Sequence, residues 1–382
     1  MNPAILFVDD EPRVLDGLRD LLRRHRRRWD LEFCTGAEAA IAAVDQRPFA
    51  VVVTDMRMPR IDGATLLEHV REVRPSAIRI VLSGQMDGAS ALRAASVAHQ
   101  FLSKPCDTEL LTRTIEASLA LQGSLPCPEL RAILGRIDGL PAAPRHADLA
   151  ARVADPGISS RAIAEAIEHD PAMVAKVLQL VNSAFFGLGH RISSVEHAVT
   201  YLGIQLVAQI VVAYEAQRAA SDGASPALVA PLHRASFVAA SVARAAAEPA
   251  ERNDAFLAAL LCYVGSLVVA RHLPAECARI RAEAATRPLR EVELEVLGIT
   301  HGELGAYLLG LWGFEPATVL AVAQHQHAGP TSEGRLRTTW LGAWFADEAL
   351  GFARREPAEL GLDAATLAEL RAVARAANAW TP

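Results

Sequence analysis

The stretch Val51-Val52-Val53-Thr54-Asp55-Met56-Arg57-Met58-Pro59 decides the fold of the first third of the chain. An apolar β-branched run ends on a carboxylate and is closed by Pro59 and then by Asp62-Gly63. Such a run reads as a buried parallel strand feeding a loop, with Asp55 at the strand's carboxyl end. In open α/β sheets that edge is where ligands and chemistry collect. Working outward, Ile5-Leu6-Phe7-Val8 ends at Asp9-Asp10, Ile80-Val81-Leu82 ends at Ser83, and Gln100-Phe101-Leu102 stops just before Lys104-Pro105. Four strands thus deliver an acid pair, a third acid, a hydroxyl and an amine to one edge.

From Pro3 to about Gln122 strand and amphipathic helix alternate. Strands are expected near 4–8, 30–34, 50–54, 78–82 and 99–102, and helices near 12–26, 37–46, 64–73, 88–96 and 107–121. Five βα repeats with short connections predict a flavodoxin-like, doubly wound, five-stranded parallel sheet covered on both faces. The charge run Arg23 to Arg28 reads as a solvated helix end, where cations are favourable. The alternation stops at Gln122-Gly123-Ser124-Leu125-Pro126-Cys127-Pro128. Beyond it, Ala/Leu-rich segments near 129–135, 145–154, 159–168, 171–181, 195–218, 227–247, 252–271, 288–310, 315–326, 335–353 and 364–378 have helical periodicity, and no strand stands out. The expected organisation is an α/β domain over 1–122, a linker over 123–128 and an all-α domain over 129–382.

At 382 residues the chain is too long for one ordinary core. Its net charge of -6 disfavours nucleic-acid or anionic-membrane partners. Cys34, Cys106, Cys127, Cys262 and Cys277 form no C-x-x-C pair, which fits a reducing cytoplasm better than a disulfide framework or a zinc knuckle. The chain opens without a basic, apolar export signal. The uncharged run Ala255 to Ala270 is sixteen residues long, short of the roughly 20 needed to span a bilayer, and reads as a buried core helix. No helix-turn-helix with a basic recognition face stands out, so direct DNA binding is not expected.

The strand-end residues suit one chemistry. Magnesium takes oxygen ligands, keeps several waters and needs only one or two carboxylates. Asp10 and Asp55 can supply these, with Asp9 orienting a water and the Arg57 carbonyl as a further oxygen. An aspartate can then accept a phosphoryl group if nearby cations neutralise the transferred oxygens, a role that falls to Lys104 and the metal. Ser83 would hydrogen-bond a phosphoryl oxygen, and Phe101 would reorient as Ser83 is drawn inward. Residues 4 to about 121 resemble the receiver domain of two-component response regulators. The resemblance implies phosphorylation of Asp55 by a sensor histidine kinase, with autodephosphorylation as the only chemistry of its own. The helix expected over 107–121 carries an apolar row at Leu111, Ile115 and Leu119 for the sheet. A second row at Leu110, Ala117 and Leu121 is left for a partner receiver in a homodimer or for the output half.

The helical half resembles the HD-related output domain, HDOD, over roughly residues 130 to 330. The resemblance rests on Ile137-Asp138-Gly139-Leu140-Pro141, Asp170-Pro171-Ala172-Met173-Val174, Leu180-Val181-Asn182-Ser183-Ala184-Phe185-Phe186-Gly187, Ile192-Ser193-Ser194-Val195, Tyr201-Leu202-Gly203 and the segment from His301 to Leu309. Catalytic HD hydrolases hold metal with an adjacent His-Asp pair, and a divalent ion generates hydroxide. Here Cys262 stands for the histidine, Tyr263 for the aspartate and Ser266 for a lysine. Without the bridging carboxylate no metal is expected in this half, and His301, His325 and His327 read as helix-terminal or core histidines. His233 reads as isolated, with Ala235 at the first ligand position. The expectation is a cytoplasmic response regulator whose helical half binds an unknown protein or small molecule without catalysis. The alternatives are an HD-GYP-type cyclic dinucleotide phosphodiesterase and a nucleotide-sensing module.

Overall fold

In the computed structural model the described residues are 2–84, 93–94, 96–125, 128–137, 140–141, 158–183, 191–221, 225–353 and 357–379. They divide into two compact units. The first is Met1–Asp138 with Leu180–His190 and Gly310–Gly313, and the second is the remainder.

Strands β1 (Ala4–Asp9), β2 (Asp30–Thr35), β3 (Val51–Thr54), β4 (Ile78–Ser83) and β5 (Gln100–Ser103) form one parallel sheet in the order β2-β1-β3-β4-β5. The β-branched run 51–54 is wholly buried because it is central, with helices on both faces. Val8 pairs with Thr54, Thr54 with Val81 and Val81 with Phe101, so Asp9 and Asp55 stand one step beyond paired residues of neighbouring strands. The expected helix 88–96 lies mainly outside the described residues. The first helix, expected to residue 26, ends at Leu21 and gives way to a 3-10 turn over Arg23–His25. His25 turns inward and stacks on Trp29 at 4.7 Å, so the basic run is not solvated throughout.

The helix Thr108–Ser124 buries Leu111 and Ile115. Leu119 is only half-buried, and Ser118 fills the buried place after Ile115. The helix Pro128–Arg136, which composition assigns to the helical half, packs in the first unit. Leu130 and Leu134 are buried there, and Gly135 lies so close to the sheet's edge loop that a Cβ would sit 1.7 Å from the Pro75 carbonyl oxygen. Arg79 on β4, fully buried, donates from Nη2 to the Gly135 carbonyl at 2.8 Å and from Nε to the Val97 carbonyl at 2.6 Å. Burial pushes its guanidinium down to about 9.

The second unit is helical among the described residues apart from an isolated bridge between Pro288 and Ala353. Three long expected helices are each broken into two. Gly203 at φ 79° separates Val195–Leu202 from Ile204–Ser221, and Gly298 at φ 72° ends Leu289–Leu297 before His301–Leu311. The third break, Leu261 to Tyr263, separates Arg252–Leu260 from Val264–His272. The run Pro249–His272 is long and apolar enough to cross a membrane, but 83% of its most apolar window is buried inside the unit. The expected helix 145–154 lies outside the described residues. An unexpected helix, Pro274–Glu283, buries only Cys277 and Ile280, too little apolar pattern to announce itself.

Candidate functional site

At the carboxyl edge of the sheet, Asp9 and Asp55 are brought together by the side-by-side register of β1 and β3. Lys104, four residues past the start of β5, donates from Nζ to Asp9 Oδ2 at 2.6 Å and to Asp55 Oδ1. Asp55 Oδ2 accepts the Arg57 N–H at 2.5 Å, and Asp9 Oδ1 accepts the Glu11 N–H at 2.9 Å. Burial raises the Asp55 carboxyl above its ordinary range and outweighs the opposing pull of Lys104 and the Arg57 N–H. Burial alone would lower the Lys104 ammonium, but its bonds to Asp55 and Asp9 prevail and raise it. The loop after Asp55 folds back tightly. Gly63 donates to the Met56 carbonyl, and a Cβ on Gly63 would stand 2.1 Å from the Asp55 carbonyl oxygen.

Asp10 is half-buried at the same edge and Arg57 is exposed. Phe101 is buried on β5, directly paired with Val81. Ser83 closes β4, paired with Ser103, and its side chain is outside what is described. Among the described residues no group of three or more His, Cys, Asp or Glu side chains is arranged to hold a metal. Asp9 and Asp55 nevertheless converge on one cation, the Lys104 ammonium, so the donor set fits a magnesium ion that asks for one or two carboxylates.

In the helical unit, Cys262 and Tyr263 lie buried at the helix break. The Tyr263 hydroxyl donates to Asp347 Oδ1, and its ring stacks on His301 at 5.2 Å. His301 Nδ1 donates to Glu293 Oε1 at 2.7 Å. Burial would lower this imidazole, but the Glu293 charge outweighs it and raises it. His325 Nδ1 donates to the Val322 carbonyl at 2.8 Å, as expected of a helix-terminal histidine. Its burial drives it down to about 3. His327 is exposed and accepts from Arg290 Nε at 2.9 Å. His233 is not isolated: it is buried, lies 3.7 Å from Asp170 and bonds the Pro141 carbonyl at 2.9 Å. The free cysteines Cys34, Cys106, Cys262 and Cys277 form no disulfide, and Cys127 is outside the described residues.

Sequence reasoning passes over Glu293, Gln326 and Asp347. Only Glu293 leaves a trace, a charge set in the apolar row Leu289, Val292, Val296. A neutral, buried His325 carries a pH consequence. Below its ordinary pKa of 6.5 the unfolded chain takes up a proton that the folded chain refuses until about 3, so stability present above 6.5 is lost as the pH falls through that window. Thermal melts at pH 7, 5.5 and 4.5 should fall steadily, and His325→Gln should flatten that slope.

Comparison with known proteins agrees with this geometry. Residues 5–116 match the response regulator receiver domain and residues 140–328 the HDOD domain. The hydrogenase transcriptional regulatory protein HoxA of Cupriavidus necator is 33% identical over 126 residues, 31% of this chain and 25% of that protein. An uncharacterized protein of Treponema pallidum is 24% identical over 225 residues, 58% of this chain and 44% of its own. The chain thus spans less than half the length of these curated relatives. The crystal structure of the MmoQ response regulator from Methylococcus capsulatus is 26% identical, covering 60% of this chain and 97% of that one at a TM-score of 0.49. With both halves matched in order, the chain belongs to the response regulators that join a receiver domain to an HDOD domain.

Proposed function

We propose that Asp55 accepts a phosphoryl group from a sensor histidine kinase and that the HDOD half reads this state out by binding, without catalysis. The observation that carries this reading is the buried Asp55 carboxylate held beside Asp9 by Lys104. An Asp55 oxygen attacks the phosphorus of the donor phosphohistidine, the N–P bond breaks, and the imidazole keeps the electron pair and takes a proton. The product is an acyl phosphate. Lys104 then pairs with a transferred oxygen, and Ser83, at the end of β4, hydrogen-bonds another. Asp10 and Asp55, with Asp9 through a water and the Arg57 carbonyl, would hold magnesium, which when bound neutralises charge on the transferred oxygens. Uptake of label from acetyl phosphate that requires magnesium and stops on chelation tests the reading; uptake indifferent to chelation argues against it.

The cyclic dinucleotide phosphodiesterase is less favoured, because Cys262 and Tyr263 replace the pair such chemistry needs and Tyr263 is engaged with Asp347. The protein acts in the cytoplasm, with neither DNA nor membrane as direct partner. The signal leaves through the Phe101 face and the helix Thr108–Ser124. Leu110 there is 40% exposed, Ala117 exposed and Leu121 half-buried, an apolar row beyond the one the sheet uses. Beryllofluoride should change the sedimentation of the wild type, or the hydrogen exchange of residues 105–140, by favouring one packing of this row. A shift of about 1 to 3 kcal/mol is expected. The double substitution Leu110→Glu/Leu121→Glu should abolish that response, and a wild type unmoved in both measurements would rule out the route.

A further inference from the structure

At the amino edge of the first unit's sheet, opposite Asp55, lies a cavity of about 460 Å³, within the range of small-molecule sites. Ala4 and Asp30 open β1 and β2, Ala50 and Ser76 lie just before β3 and β4, and all four line it. Arg47 on its wall is committed to Asp30 and Glu32, at 2.6 Å each, and lies over the Phe49 ring. Arg131, half-buried in the helix Pro128–Arg136, also lines the cavity. It donates from Nη1 to the Gln122 carbonyl at 3.3 Å and pairs with no carboxylate among the described residues. A half-buried guanidinium beside a cavity and without a counter-ion asks for an anion.

The 3-10 turn Arg23–His25 and the residues after it border the same cavity, because Asn2 on its wall donates from Nδ2 to the Arg27 carbonyl at 3.1 Å. The turn is pinned from inside by the buried His25, which stacks on Trp29 and accepts the Arg28 and Trp29 N–H groups at its carbonyl. Arg28 meets Glu116 at 2.9 Å. Arg23, Arg24, Arg26 and Arg27 are exposed, and among the described residues none of them pairs with a carboxylate. Four guanidinium groups from five residues of chain repel one another, and a bound polyanion removes that repulsion. Acidic side chains on one face of an extended peptide recur only about every 7 Å, too sparsely for arginines so close together. Linked phosphates carry charge on adjacent groups, and each can take an arginine fork.

We propose that this edge binds a linear phosphate chain, with Arg131 and the Arg23–Arg27 turn as its cationic partners. The chain comes as inorganic polyphosphate or as the tail of a nucleoside triphosphate. The site lies at the opposite edge from Asp55 and is loaded without phosphoryl transfer.

Calorimetric titration of the full-length protein with tripolyphosphate, orthophosphate and ATP, in EDTA so that no magnesium reaches the Asp55 edge, tests it. Saturable tripolyphosphate binding is expected, roughly tenfold tighter than orthophosphate and weakened about tenfold between 50 and 200 mM salt. Arg26→Gln/Arg27→Gln and Arg131→Gln should each weaken it by about tenfold. Arg26 and Arg27 are exposed, so the double variant keeps the fold. The charge-matched Arg371→Gln/Arg375→Gln, in the helix Ala364–Asn378, should bind as the wild type does. ATP no tighter than tripolyphosphate supports a site for phosphates alone, and tighter ATP supports one whose cavity also holds the nucleoside. No saturable binding at millimolar tripolyphosphate, equal binding of orthophosphate, wild-type affinity in the double variant, or an equal loss in the charge-matched control overturns the proposal. Tighter binding of an octaglutamate peptide, a uridine decamer or phosphatidylserine vesicles also overturns it, making the face one for protein, RNA or membrane.

Discussion

Asp55→Asn is expected to reduce phosphoryl uptake from acetyl phosphate to background, a loss of a hundredfold or more read by intact mass and label incorporation. The amide oxygen is neutral and a poor nucleophile, and Lys104 is left paired with Asp9 alone. The fold should survive. Because burial raises the Asp55 carboxyl, the folded state favours its protonated form, and whatever stability that confers is present at low pH and lost as pH rises through the carboxylate range. At neutral pH the ionised group is a burden that Lys104 only partly relieves. The Asn protein should therefore be as stable as the wild type or slightly more so, which separates loss of chemistry from loss of structure. Asp10→Ala should raise the magnesium requirement and leave the fold intact, since removing one of several crowded carboxylates relieves repulsion. Label on the Asn protein at wild-type level would place the acceptor elsewhere.

Glu293→Ala is expected to be the most destabilising single substitution in the helical unit, by about 3 to 5 kcal/mol in urea unfolding. The residue is 2% exposed, and its carboxylate serves three donors: His301 Nδ1, the His301 backbone N–H and the Gln326 amide. Removing it strands a buried imidazole and two N–H groups at once. The pH dependence has a definite sign. His301 is raised in the folded state, so its contribution is complete below 6.5 and is lost as pH rises through the higher folded value. The alanine protein should lack this alkaline loss, and Glu293→Gln should lose less stability because it still accepts. An alanine protein within 1 kcal/mol of wild type would show that the pair contributes little.

Much of the first unit is legible in the sequence because a parallel sheet leaves a strong local signature. Each expected strand matches an observed one to within a residue, and Asp9, Asp55 and Lys104 meet because strand ends of one sheet must share an edge. The helical half is legible in type but not in detail. The breaks at Gly203 and over Gly298 to Thr300 fall inside otherwise continuous apolar periodicity, and nothing local distinguishes a bend from an uninterrupted helix. The cluster of Glu293, His301, Tyr263 and Asp347 draws on four helical segments or their junctions, so only tertiary packing assembles it. The helix Pro128–Arg136 illustrates the same limit, since its composition resembles the helices that follow while its packing belongs to the strands that precede it.

That last feature sets a rule for building chimeras. A receiver cut at residue 122 would leave the fully buried Arg79 without the Gly135 carbonyl it donates to, and would uncover the surface that Leu130 and Leu134 fill. A transplanted receiver should therefore carry its sequence through Asp138, and an isolated output module should begin after it. Fusions joined at the Pro-rich segment would confound a wiring defect with a folding defect, whereas fusions joined after residue 138 keep the Arg79–Gly135 bond and the Leu130 and Leu134 packing with the receiver.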